Sequence, residues 1–194
     1  EGASIKIDGA GAVVVSINTS SSGQGHESLA ATVVGEVLER EPETIRVVRA
    51  DSLSALPSNS PVGSRMAIML GGAAAGAAKK LKETVTAIGA HKLGLPVGEV
   101  EYRDGAVIAR ADPAKKVLWE AIAEIAHRKF HELPPRIEPG LQANHVLEVP
   151  TGGTLPSADG RVQMYPCYAF EAHIVYAEVD SITGQVALGP YIVG

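Results

Sequence analysis

The stretch from Ser20 to Ser28 reads Ser-Ser-Ser-Gly-Gln-Gly-His-Glu-Ser and joins an apolar strand-like run, Val13 to Ile17, to a segment of helical period. Backbone N–H groups at a strand-to-helix turn without bulky side chains point outward, toward an anion or a flat polar ligand. Gly23 and Gly25 permit close backbone approach, and Gln24 between them offers both a donor and an acceptor. The same composition also suits a turn that only caps its helix.

The rest of the chain reads as short elements around that turn. Ile5 to Asp8 and Ala12 to Ile17 flank Asp8-Gly9-Ala10-Gly11, the pattern of a hairpin. Gly25 to Arg40 repeats apolar residues at helical spacing up to Pro42, and Ile45 to Ala50 is the next strand. A polar loop, Asp51 to Ser64, is longer than common connections and leads into a helix from Arg65 to Leu93. Val100 to Arg103 and Ala106 to Arg110 form a second hairpin about Asp104-Gly105. Val117 to Phe130 reads as an amphipathic helix burying Trp119, Ile122, Ile125 and Ala126, and Arg136 to Gly140 reads as a linker. Strands are expected over His145 to Val149, Tyr168 to Asp180 and Gln185 to Val193, with a Gly-rich loop from Thr151 to Gly160. This order predicts an α+β fold, a layered mixed sheet with hairpins packed against helices.

With 194 residues, 45% of them hydrophobic, the chain can bury its own core, and its size fits one domain, 1–194, or a domain with a small appendage. A net charge of -5 and an aromatic fraction of 4% argue against a nucleic-acid partner. A single cysteine, Cys167, excludes an internal disulfide or an iron–sulfur cage built by this chain and fits the cytoplasm. The most apolar run, Met66 to Ala78, falls short of the roughly 20 residues of a membrane span, so no membrane segment is expected. The chain starts at Glu1 and ends at Gly194 directly after a strand-like run, which predicts an excised domain, a processed fragment or one piece of a split subunit.

A second loop has the same chemistry as the first. Ser58-Asn59-Ser60-Pro61-Val62-Gly63-Ser64-Arg65-Met66 opens the long helix with hydroxyls, a glycine and a cation suited to phosphate. A cap by Ser60 or Ser64 would explain it equally. Gly63-Ser64-Arg65 lacks the frame of a nucleophile elbow. His127 and His131 lie four apart on an expected helix face, but Arg128 stands where zinc proteases carry a glutamate. His91, His145, His173 and Cys167 read as structural residues, and no metal ligand is assigned.

Three segments in order, Ser21 to Ser28, Val62 to Gly72 and Tyr165 to Gly184, resemble the molybdenum-cofactor-binding part of the xanthine dehydrogenase, aldehyde oxidase and aerobic carbon monoxide dehydrogenase family. The matching motifs are Gly23-Gln24-Gly25-His26, Gly63-Ser64-Arg65-Met66, Tyr165-Pro166-Cys167-Tyr168-Ala169-Phe170 and the hairpin Glu178 to Gly184. The resemblance implies a molybdopterin-binding-domain-like fold and a molybdopterin cofactor in its cytosine dinucleotide form. Gly23, Gln24, Gly25 and His26 would meet the pterin and dithiolene end, and Gly63, Ser64 and Arg65 the pyrophosphate or nearby pterin groups.

The same resemblance implies an oxidoreductase acting on an aldehyde, an N-heterocycle or a similar small molecule. It would need the remainder of the molybdenum subunit and iron–sulfur and flavin partners, because this chain lacks their cysteines. The family's catalytic glutamate lies in a Gly-Glu motif followed by prolines, and Val97-Gly98-Glu99 has no proline after it, so no catalytic residue is assigned. Met66 stands where a hydroxyl residue is common. A competing expectation is a non-catalytic anion- or nucleotide-binding or assembly module.

Overall fold

A computed structural model describes residues 1–58, 61–149, 155–162 and 170–194. The chain divides into two compact units, Glu1–Glu148 and Val149–Gly194.

In the first unit, β1 (Gly2–Ile7) and β2 (Val13–Ile17) form the expected antiparallel hairpin. Their alternation puts Ala3, Ile5, Ile7, Val13, Val15 and Ile17 on one buried face, with Ser4, Lys6 and Ser16 on the other. Asp8 shapes the turn by accepting the N–H of Ala10 at 2.8 Å and of Ala12 at 2.9 Å. Helix α1 (His26–Leu38) follows, then β3 (Ile45–Arg49), which lies parallel to β2 with Val13 opposite Ile45 and Ile17 opposite Arg49. Helix α2 (Met66–Leu93) packs on α1 and β1 and also reaches the second sheet. That sheet is β4 (Val100–Arg103), β5 (Ala106–Ala109) and β6 (Asp112–Leu118) in order. Helix α3 (Trp119–Arg128) and β7 (Leu141–Val146) complete the unit, and the first sheet runs β3-β2-β1-β7. Leu38, Leu70, Leu81, Ile88 and Ile122 are wholly buried between sheets and helices. The α+β class and the mixed sheet follow the sequence reading.

The long helix is rich in small residues because strands press against it. A Cβ on Gly89 would stand 2.5 Å from the Val107 Cβ, and one on Gly72 2.5 Å from a Leu147 methyl. Gly76 lies equally hard against the His145 ring. Gly94, left-handed at φ 69°, ends the helix at Leu93, the end expected from the sequence.

Several boundaries differ from expectation; β1, for one, begins at Gly2 rather than at Ile5. Residues 112–118 form β6, and α3 begins at Trp119 rather than at Val117. The strand is held by its ladder to β5, and only Val117 of its side chains is buried, so periodicity did not reveal it. The strand expected from His145 begins at Leu141, because β7 pairs with β1 from Ile7↔Leu141 to Gly2↔Val146. It is an edge strand whose outer residues are polar, so it lacks a hydrophobic alternation. His131 lies past the end of α3 in a 3-10 turn, so it shares no helix face with His127.

In the second unit, β8 (His173–Val179) and β9 (Val186–Val193) form an antiparallel hairpin with an irregularity between Val175 and Ala177. Phe170 to Ala172 are not strand, shortening the expected Tyr168 to Asp180 run, and its first residues lie outside the described ones. Asp180 accepts the N–H of Ile182 and of Thr183, each at 2.8 Å, and Gly184 is left-handed at φ 72°. Those requirements explain the Asp-x-x-Thr-Gly spelling of the turn. The motif Tyr165 to Ala169, with Cys167, lies outside the described residues.

Candidate functional site

Because β2 and β3 are parallel neighbours, their carboxyl ends lie at one edge of the sheet. The turn carrying Gly23, Gln24 and Gly25 leaves from β2, and the loop carrying Gly63, Ser64 and Arg65 leaves from β3. In α/β arrangements ligands bind outside the carboxyl ends of such strands. Arg49, the last residue of β3, donates through Nε to Glu27 in the first turn of α1 at 2.6 Å, which ties that helix start to the end of the neighbouring strand. The Glu27 carboxyl is held below its ordinary value by its own backbone N–H and by the Arg49 side chain.

The two helices begin alike. Gly25 is left-handed (φ 73°, ψ 33°) and precedes His26 at the start of α1. Ser64, left-handed at φ 52° although it is not glycine, precedes right-handed Arg65 (φ -91°, ψ -11°) at the start of α2. A left-handed residue followed by a right-handed one turns consecutive N–H groups into one concavity, an anion nest. Among the described residues no side-chain cap hydrogen bond is made at the N-cap of either helix, including by Ser64, while Ser60 lies outside the described residues. Gly23 (φ 103°) and Gly25 have nothing within 4 Å of where a Cβ would stand. Backbone conformation, not crowding, therefore requires glycine there.

Side chains differ sharply in access. Gln24 is exposed and folds back so that its Oε1 accepts the Ser22 N–H at 2.5 Å. Gly63 and Ser64 are exposed and Arg65 is half-buried. His26 is only 4% exposed and its Nδ1 has no hydrogen-bond partner among the described residues; nor has the Oγ1 of Thr19, which is 3% exposed. Buried polar atoms without partners are costly and uncommon in a folded chain, so these two mark a polar requirement around the first turn. Met66, in the place of a hydroxyl residue, is buried and points into the core instead.

Other candidates lie elsewhere. Glu99 sits beyond the C-terminus of α2, at the opposite end from Arg65 of a helix about 40 Å long. His127 directs Nε2 at the Ile7 carbonyl oxygen, 2.8 Å away. Sequence reading passed over Asn18 and Thr19, gave Glu1 no role, and named Ser58 only as part of the hydroxyl-rich loop. Asn18 and Thr19 immediately precede the Ser/Gly run, which was their only signal. Among the described residues no helix is long and apolar enough to cross a membrane.

The family model described as molybdopterin cofactor-binding domain matches residues 1–193. The chain is 26% identical over 181 residues to the carbon monoxide dehydrogenase large chain of Hydrogenophaga pseudoflava, covering 93% of this chain and 20% of that protein. It is 30% identical over 156 residues to the gamma subunit of the 6-hydroxypseudooxynicotine dehydrogenase complex of Paenarthrobacter nicotinovorans, covering 78% of this chain and 19% of that one. The solved structure of reconstituted CO dehydrogenase from Oligotropha carboxidovorans superimposes with a TM-score of 0.80 at 26% identity, over 99% of this chain and 22% of that one. The chain thus spans about one-fifth of the length of these relatives. A family match over residues 1–193 and a solved relative that shares the fold over 99% of this chain agree: the chain belongs to the molybdopterin cofactor-binding domain family.

Proposed function

We propose that Gly23, Gln24, Gly25 and His26 hold the pterin and dithiolene end of molybdopterin, and that Gly63, Ser64 and Arg65 hold its phosphate end, in the cytosine dinucleotide form. The residues fit such a group. A phosphorylated ring system needs N–H donors for its oxygens and polar partners along its ring edge. The nests at Gly25-His26 and Ser64-Arg65 offer the first, and exposed Gln24, with His26 beside it at the start of α1, offers the second. The observation that carries this reading is the pair of left-handed to right-handed helix starts on neighbouring parallel strands.

When bound, the group supplies the oxidation of a small organic substrate such as an aldehyde or an N-heterocycle. This chain's own residues bind and orient it. No base is assigned among them, so the proton is taken by a residue elsewhere in a larger cytoplasmic catalytic subunit. Electrons leave through iron–sulfur and flavin partners.

The test is Gln24→Ala in the full enzyme, with molybdenum and pterin per protein measured after gel filtration. Each side-chain hydrogen bond lost is worth about 1 kcal/mol, so cofactor retention is expected to fall several-fold while circular dichroism is unchanged. Full cofactor content in the variant would overturn the assignment. A wild-type complex at full assembly without metal or pterin would instead favour the assembly module.

A further inference from the structure

The strand register brings the roots of the two loops to one edge, but the connection after β3 runs from Ala50 to Arg65, long enough to wander. Three contacts among the described residues hold it at Leu56, Pro57 and Ser58. Asn18, one residue beyond β2, donates through Nδ2 to the Leu56 carbonyl at 2.8 Å and to the Gly2 carbonyl at 3.3 Å. The Glu1 carboxylate, on a residue only 4% exposed, accepts the Ser58 hydroxyl at 2.9 Å to each oxygen. Leu56 and Pro57 lie so close to β1 that a Cβ on Gly2 would stand 2.5 Å from the Leu56 Cβ and 3.2 Å from the Pro57 carbonyl.

Asn18 therefore belongs to the root of the first turn by sequence and to the second loop by hydrogen bond. We propose that Asn18 and Glu1 are positioning residues that set the spacing between the two cofactor-holding loops, Asn18 by tying Leu56 to the end of β2 and Glu1 by tying Ser58 to the start of β1. Each acts through the loop it holds. The proposal rests on the molybdopterin reading above and adds to it the device that aligns its two halves. A nest is useful only if its N–H groups already stand where the ligand's oxygens will be, and a loop free to sample other paths binds in proportion to the time it spends in the right one.

The experiment uses the full enzyme carrying, one at a time, Asn18→Asp, Ser58→Ala, Ser58→Thr and Gln24→Ala. Asn18→Asp keeps the side-chain shape but sets oxygens against the two carbonyls. Molybdenum and pterin content, the rate of pterin loss from purified protein, and backbone hydrogen exchange over 51–58 are measured. Asn18→Asp and Ser58→Ala are expected to speed exchange over 51–58 about tenfold and pterin loss several-fold, with exchange in β1 and β2 unchanged; Ser58→Thr, which keeps the hydroxyl, restores both. Should Asn18→Asp fail to assemble, exposed Ser58, compared as Ala and Thr, decides alone. Wild-type pterin loss in the Asn18 and Ser58 variants, with cofactor lost from Gln24→Ala, overturns the positioning role and leaves the site assignment standing. Full retention in Gln24→Ala as well overturns the site assignment itself.

Discussion

Trp119 shows how one side chain joins distant parts of the first unit. Its indole N–H donates to the Gly11 carbonyl at 2.7 Å, the Arg40 guanidinium lies 4.9 Å from its ring, and Tyr102 meets it edge-on with centroids 6.3 Å apart. Tyr102 in turn donates to the Leu38 carbonyl at 2.7 Å, and its burial pushes the phenol well above the ordinary tyrosine range. Trp119→Phe keeps an apolar ring but leaves a buried carbonyl without its donor, a loss of about 1–3 kcal/mol. A denaturation midpoint unchanged from wild type would count against that bond. Asp180 offers a pH prediction. The N–H groups of Thr183 and Ile182 hold its carboxyl below the ordinary value of 3.8. A depressed folded value means that the turn's stabilisation is complete above the unfolded pKa and is lost as pH falls through the folded one. Carboxyl chemical shifts should therefore show Asp180 titrating below an aspartate in an unstructured peptide.

Among the elements, α2 is the most informative. Replacing Gly89 by Ala in an isolated helix would gain about 1 kcal/mol. Here the new methyl meets buried Val107 at 2.5 Å, and overpacking of this kind costs about 1–3 kcal/mol. Gly89→Ala is therefore expected to lower stability by about 1 kcal/mol net in urea unfolding, and a stabilised variant would show that β5 can move aside. The helices α1 and α2 were legible in the sequence because their ends are spelled by local chemistry: Pro42 after one, Gly94 and Pro96 after the other. β6 and β7 were not. One exposes all of its side chains but Val117, the other is a polar edge, and both exist because a neighbouring strand satisfies their backbone groups.

At the scale of the whole molecule, the two units differ in what they can support alone. Residues 1–148 enclose a core on two sheets and three helices. The hairpin of the second unit exposes apolar side chains on both faces, Ile174 and Ile192 on one, Val175 and Tyr191 on the other. An isolated two-stranded hairpin is marginal in water. A polypeptide of residues 1–148 is expected to melt cooperatively by circular dichroism and one of residues 149–194 is not; the reverse outcome would contradict this division of stability.

What the chain's letters determined without help was local: the strand–turn–helix at Gly23 to His26, the loop that opens α2 at Gly63 to Arg65, and the left-handed glycines that make such turns affordable. Local propensity and turn chemistry act over a few residues, so they survive in the sequence as readable patterns. Only the tertiary structure decided that β3 runs parallel beside β2, that β7 returns from far along the chain to close the other side of β1, and that Asn18 reaches Leu56. Those are pairings between residues distant in sequence. They are chosen by burial and backbone hydrogen bonding across the whole core, which leave no periodic trace in either partner.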